Sequence, residues 1–360
     1  MRDSTVTPGS GASIATLAGA LPFGVRGSLT TLGWCASRIL WRVSRLRGTV
    51  TKIVGTSSEV QTPRGAYRCD LRARLFRRSK VRLAVGDEVL LEERVAPGED
   101  GTPGRGVIEE LCPRRTVLRR TRDFKRDQVL CANLDQVVLV VAVLDPPYKR
   151  SFMDRVLVGV ERDGLAAVVV FNKRDLADEE YLEVIEEDAG VYAGLGYRVL
   201  LVSAREGTGL EELREVFHGK VSAVVGPSGV GKSTLLNAVQ PGLRLRTGEV
   251  SAQDGRGRHT TTAAELVRLD GGGYVVDTPG LRGFGLWDLG PEEVAAGFRE
   301  IAALRGACRF ADCRHRAEPD CAVRAAVEAG EVDSERFESY LRLLEDSEAR
   351  AAERQAARRR

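Results

Sequence analysis

The sequence predicts a multidomain α/β protein. It should contain a small β-barrel, a mostly parallel sheet with helices on both sides, and a helical C-terminal part that binds a metal. Three observations predict this. Short alternating strands with Gly/Pro-rich turns fill residues 47–112. Nearly continuous apolar runs alternate with helical stretches between 135 and 280. Three cysteines and a histidine crowd into residues 308–321.

In chain order, residues 1–45 read as a flexible extension. SIATLAGALPFGV (13–25) imitates a signal peptide, but Arg2 is followed at once by Asp3. The chain has no run of 18 apolar residues, so no membrane span is expected. Its seven cysteines are odd in number and irregularly spaced, which argues against a secreted disulfide framework. A cytoplasmic location and a monomer are expected. With 360 residues, 43% hydrophobic and 29% charged, the chain can bury two or three cores.

Residues 46–112 form the barrel. RGTVTKIVG, AYRCDLRARL, VGDEVLLEERV and RGVIEELC read as strands, and VQTPRG and APGEDGTPGRG read as turns. Four or five strands in that length suit an OB-fold, with an SH3-like barrel as the structural alternative. The front half is basic although the whole chain carries only +3. Between Arg38 and Arg82 there are 13 Lys/Arg against two acids, and from Arg114 to Arg126 seven against one. This implies a polyanionic partner.

Residues 113–289 form the nucleotide domain. DQVVLVVAVL, LAAVVVFN, YRVLLVSA, KVSAVVG and GGYVVDTPG read as strands buried on both faces, with RSFMDRVLVGVERDG and GLEELREVF as helices between them. GPSGVGKS (226–233) fits the phosphate-binding loop G-x-x-x-x-G-K-[ST] and stands between a strand and the helix STLLNAV. The backbone of Gly226, Pro227, Ser228, Gly229, Val230 and Gly231 should cradle phosphates, with Thr234 just beyond. Lys232 neutralises β- and γ-oxygens, and Ser233 with Asp277 of DTPG holds Mg²⁺. The Gly280 N–H meets the γ-phosphate. In the intervening GRGRHTTTAAEL (255–266), a threonine of Thr260, Thr261 and Thr262 binds Mg²⁺ only with GTP present.

FNKRD (171–175) selects the base. The Asp175 carboxylate can accept from guanine N1 and N2, which adenine cannot match. Asn172 braces the loop, Lys173 packs over the ring, and Arg174 completes the motif. Ser203 and Ala204 suit the backbone contact to guanine O6. Base recognition thus precedes the phosphate loop, the reverse of the usual order. The domain reads as a circularly permuted P-loop GTPase, with the segment after DTPG leading directly into the C-terminal part.

Residues 290–345 form that part, and 346–360 a charged tail. Cys308, Cys313, His315 and Cys321 are spaced C-x4-C-x-H-x5-C, a closed tetrahedral set for one structural Zn²⁺. So small a helical segment gains rigidity from its metal.

Taken together, the basic barrel, NKRD, SA, GPSGVGKS, GRGRHTTT, DTPG and the cysteine–histidine set resemble the ribosome small subunit-dependent GTPase A family over residues 46–345. The resemblance implies a bacterial assembly factor that binds the 30S subunit late in maturation and leaves after GTP hydrolysis. It implies hydrolysis accelerated by the ribosomal particle, with barrel and zinc module contacting 16S rRNA. After D-x-x-G this chain has Leu281, a replacement the family shares, so a glutamine does not orient the water. Family members commonly offer a histidine in the F-G-L-W-x segment, whereas this chain has Asp288 there. Asp288, His259 and a group supplied by the ribosome are the candidates for that role. Two other readings stay open: a GTP-sensing RNA-binding scaffold with negligible turnover, and a transport-type ATPase.

Overall fold

The computed structural model describes residues 45–72, 82–122, 126–243, 265–277 and 289–359. Except for Arg45, the N-terminal extension lies outside them.

Strand β1 (Arg45–Val54) pairs antiparallel with β2 (Ser57–Thr62) and with β4 (Glu88–Val95). β2 pairs with β3 (Gly65–Leu71), β3 runs parallel to β5 (Gly104–Leu111), and β5 returns antiparallel to β4. The order β1-β2-β3-β5-β4 with a closing β1–β4 pair is an OB-like barrel. A register shift between Val50 and Lys52 bends β1 so that it can serve both neighbours. Alternate residues point inward, and Val50, Val60, Tyr67, Cys69, Val89, Leu91 and Ile108 are fully buried there. The turn expected at VQTPRG is narrower than the sequence implies. Val60–Thr62 belong to β2, and Thr62 Oγ1 accepts from Arg64 N (3.1 Å) and donates to Gly65 O (3.0 Å).

Between barrel and sheet lies a hairpin that sequence reasoning missed, β6 (Val117–Arg122) with β7 (Arg126–Ala132). It is tied to the barrel by Ala132 N donating to Val85 O (2.8 Å). Asn133 Nδ2 also donates to Gly86 O (2.9 Å).

The central sheet comprises β8 (Gln136–Ala142), β9 (Ala166–Asn172), β10 (Arg198–Leu201), β11 (Val221–Val225), β12 (Glu265–Arg268) and β13 (Tyr274–Asp277). Its order is β10-β9-β8-β11-β13-β12, and only β12 is antiparallel to its neighbour. Strand alternation divides the valine-rich runs between two helical layers. Leu139, Val141, Val169 and Phe171 meet α1 (Arg150–Arg162) and α2 (Glu179–Gly194). Val138, Val140, Val168 and Val170 meet α3 (Leu210–Phe217) and α4 (Lys232–Val239). Burial on both faces is why these strands carry no polar alternation. At its start, α2 is capped by Asp178, which accepts from Tyr181 N at 2.9 Å, with Glu179 and Glu180 favouring the positive helix end.

The C-terminal part consists of α5 (Pro291–Gly297), α6 (Arg299–Leu304), a 3₁₀ turn (Arg305–Ala307), α7 (Ala322–Glu328) and α8 (Ser334–Arg359). Val294, Phe298, Tyr340 and Leu344 join the same core as α1. Because α8 runs unbroken to Arg359, no element boundary falls at residue 345. Among the described residues, no helix is long and apolar enough to cross a membrane.

Candidate nucleotide and metal sites

Parallel pairing brings the C-terminal ends of β8, β9, β11 and β13 to one edge of the sheet, where a doubly wound fold binds its ligand. The loops after β9 and β11 meet there directly. Asn172, buried at the end of β9, donates from Nδ2 to Val230 O of the phosphate loop at 2.9 Å. Its Oδ1 accepts from Ala204 N at 3.4 Å. Gly231, at φ 88°, makes room for this contact, since a Cβ there would lie 2.5 Å from Asn172 Nδ2. The element expected to read the base and the one expected to hold phosphates therefore touch, although about fifty residues separate them.

On the base side, fully buried Ser203 donates from Oγ to Asp175 Oδ1 at 2.6 Å and accepts from Glu206 N at 3.1 Å. Lys173 adopts φ 62°, and its Nζ donates to the backbone carbonyl of Asp145. Arg174 opens the short 3₁₀ turn that carries Asp175. On the phosphate side, Gly226 closes β11, and Lys232 Nζ donates to Gly226 O (2.8 Å) and Pro227 O (2.5 Å). Ser228 and Gly229 are exposed, while Val230 turns inward and is buried. Ser233 is half-buried in the first turn of α4, with Thr234 exposed beside it. Asp277 ends β13, the strand paired with β11. The candidates His259, Thr260, Thr261, Thr262, Gly280 and Asp288 lie outside the described residues, as does Leu281.

Sequence reasoning missed the loop after β8. Asp145 receives Lys173 through its carbonyl, and Pro146 approaches Gly229. The D-P-P turn at the tip of a buried strand was the available signal.

A model of the RsgA GTPase family matches residues 111–287. The small ribosomal subunit biogenesis GTPase RsgA of Moorella thermoacetica is 45% identical over 305 residues, spanning 85% of this chain and 98% of that protein. The chain belongs to the RsgA GTPase family. Among solved structures, YjeQ from Thermotoga maritima superposes with a TM-score of 0.70 at 37% identity, covering 84% of this chain and 98% of that one. YloQ, described as a circularly permuted GTPase, gives 0.68 at 28% identity, covering 87% and 99%. Like other RsgA GTPases, the chain is a GTP-hydrolysing enzyme. The observed order, β8–β10 before β11 and β13, is the circular permutation.

The second site is the cysteine–histidine cluster. Cys308 follows the 3₁₀ turn, Cys321 precedes α7, and His315 is turned by φ 61°. Its Nδ1 lies 3.5 Å from Cys308 Sγ and 3.3 Å from Cys321 Sγ, and the two sulfurs are 4.0 Å apart. With Cys313, all four ligand atoms lie within 4.8 Å of one another. Sulfurs at ~2.3 Å from a tetrahedral Zn²⁺ would stand roughly 3.8 Å apart, so the set fits such an ion. Burial lowers the His315 pKa, which keeps the imidazole neutral and able to coordinate. Tyr340 of α8 supports the loop from below, its hydroxyl donating to Arg314 O at 3.1 Å.

Proposed function

We propose that this GTPase acts in small ribosomal subunit biogenesis. It binds the 30S subunit and 16S rRNA through its basic barrel and C-terminal module, late in maturation, and leaves after hydrolysis that the particle stimulates. The observation that carries the nucleotide assignment is the Asn172–Val230 contact, which holds the base loop against the phosphate loop. The relatives' names support the ribosomal assignment.

Gly226–Thr234 bind the phosphates, with Lys232 offsetting their charge; Asn172–Asp175, Ser203 and Ala204 bind guanine. Ser233 and Asp277 hold Mg²⁺, which screens the negative charge on the β- and γ-phosphates. Gly280 and a threonine of Thr260–Thr262 meet the γ-phosphate side, and Asp288 or His259 orients the water. Cys308, Cys313, His315 and Cys321 hold one structural zinc, giving the C-terminal module the rigidity to present an RNA-facing surface. The barrel over 46–112, the GTPase domain over 113–289 and the module over 290–345 divide these tasks, flanked by 1–45 and 346–360. The protein works as a cytoplasmic monomer.

Single-turnover GTP hydrolysis with and without purified 30S subunits tests this, on wild type and Asp288→Ala. Strong 30S stimulation that Asp288→Ala abolishes supports both the enzyme and the residue. Absence of stimulation would remove the particle as the activator of a site in which Leu281 stands where a glutamine would orient the water. Affinity for 30S should also fall steeply with salt, on the order of 10³-fold between 50 and 200 mM for about six phosphate contacts. A flat response in a filter-binding titration would remove the basic barrel as the RNA face.

A further inference from the structure

The barrel meets the central sheet at one register position, where Lys52 of β1 faces Glu265, the first residue of β12. Lys52 Nζ lies 3.0 Å from the Glu265 carboxylate, with both side chains about three-quarters to two-thirds buried. On its other side, Glu265 stands directly opposite Asp277. Three neighbouring strands therefore carry Lys52, Glu265 and Asp277 in line, from the barrel to the magnesium-side aspartate. Beside Lys52, Ile53 packs against both the barrel core and the main core.

β12 and β13 are only four residues each, and the described pairing of β13 with β11 covers Tyr274, Val275 and Val276 but stops short of Asp277. The Lys52–Glu265 pair ties this hairpin, whose last residue is Asp277, to a five-stranded barrel.

We propose that Lys52 is a positioning residue for the GTPase reaction. Acting through Glu265, it fixes the end of β13 at which Asp277 stands, so barrel strand β1 belongs to the magnesium side of the nucleotide domain. The inference rests on the assignment of Asp277 to Mg²⁺ made above. Linkage makes the effect reciprocal: a ligand that displaces β1 changes affinity for Mg·GTP, and Mg·GTP changes affinity at the barrel by the same factor.

The test is a Mg²⁺ titration of steady-state GTP hydrolysis by the full chain. It compares wild type, Lys52→Met, Lys52→Glu and Lys52→Arg, with GDP affinity measured in EDTA alongside. Lys52→Glu should raise the half-saturating Mg²⁺ concentration about three- to tenfold, the scale of one part-buried ion pair, and leave Mg²⁺-free GDP affinity unchanged. Lys52→Met should move it less in the same direction, and Lys52→Arg, which keeps a cation beside Glu265, should stay near wild type. Tighter Mg²⁺ binding by Lys52→Glu, the result of added negative charge alone, would overturn the proposal. A shift in Lys52→Arg as large as that in Lys52→Glu would overturn it too. Loss of Mg²⁺-free GDP affinity in Lys52→Glu would assign Lys52 to general stability instead. Failure of wild type to bind GDP would remove the nucleotide site itself, and this inference with it.

Discussion

The hydrogen bond from Ser203 to Asp175 fixes which way the Asp175 carboxylate faces, because Ser203 is itself fully buried and anchored by Glu206 N. A carboxylate so held can accept guanine N1–H and N2–H, the role proposed for it, and an amide in its place would set donor against donor. Asp175→Asn should therefore weaken GTP by on the order of 10²-fold or more, while xanthosine triphosphate, whose C2 oxygen accepts, gains. Competition against labelled GDP reads both, and unchanged guanine selectivity would remove the assignment. Cys321 offers a second residue-scale test. Cys321→Ser should lose stoichiometric zinc by atomic emission and melt several degrees lower, with chelator destabilising wild type but not the mutant. At this scale the side chains were legible because each chemistry needs one residue type. Asp145 was not: it serves Lys173 through a backbone carbonyl, which every residue possesses.

Among the elements, the passage from β11 into the phosphate loop tolerates little change. A Cβ on Gly226, at φ 157°, would lie 1.9 Å from Val140 O of β8, so any side chain must push two central strands apart. Gly226→Ala should cost about 3 kcal/mol, read as a lower urea midpoint at unchanged slope. Gly229→Ala is the comparison: its nearest neighbour is Pro146 Cδ at 3.4 Å, so only the strain of φ 83° remains, about 1 kcal/mol. Equal losses would mean that the β8 contact is not the cause. The same burial made the central strands readable in advance, since two covered faces leave an unbroken apolar run. β12 was hidden because four residues (ELVR) establish no periodicity, and the β6–β7 hairpin because its arginine-rich run resembles an RNA-binding loop. The end of β2 was masked by Pro63, which turns the chain one residue after Thr62.

For the whole molecule, a buried contact joins the C-terminal module to the GTPase domain through the first turns of α1. Arg336 of α8 is 1% exposed and donates to Asp154 of α1 (2.6 Å) and to Glu300 of α6 (2.6 and 3.2 Å). Its guanidinium also lies over Tyr192 (5.2 Å) and Phe298 (5.1 Å), and Tyr192 donates to Asp154 at 2.9 Å. Helical spacing puts Arg336 on the face of buried Tyr340, Leu343 and Leu344, opposite exposed Arg342, but nothing in the sequence names Asp154 and Glu300 as its partners. Any motion passed from the nucleotide to the module must carry α1 with it or break this pair. Arg336→Met keeps the length and removes the charge, leaving Asp154 buried without its cation, at a cost of about 3–5 kcal/mol near pH 8. Burial already holds the Asp154 carboxyl above its ordinary value, and losing Arg336 raises it further. An acid whose folded pKa is raised contributes most below its unfolded value, and that contribution is lost as pH rises through the folded value. The destabilisation of Arg336→Met should therefore shrink steadily from pH 8 to pH 5. Urea unfolding of both proteins across that range measures it, and a pH-independent difference would place the loss in packing against Tyr192 and Phe298 rather than in the stranded carboxylate.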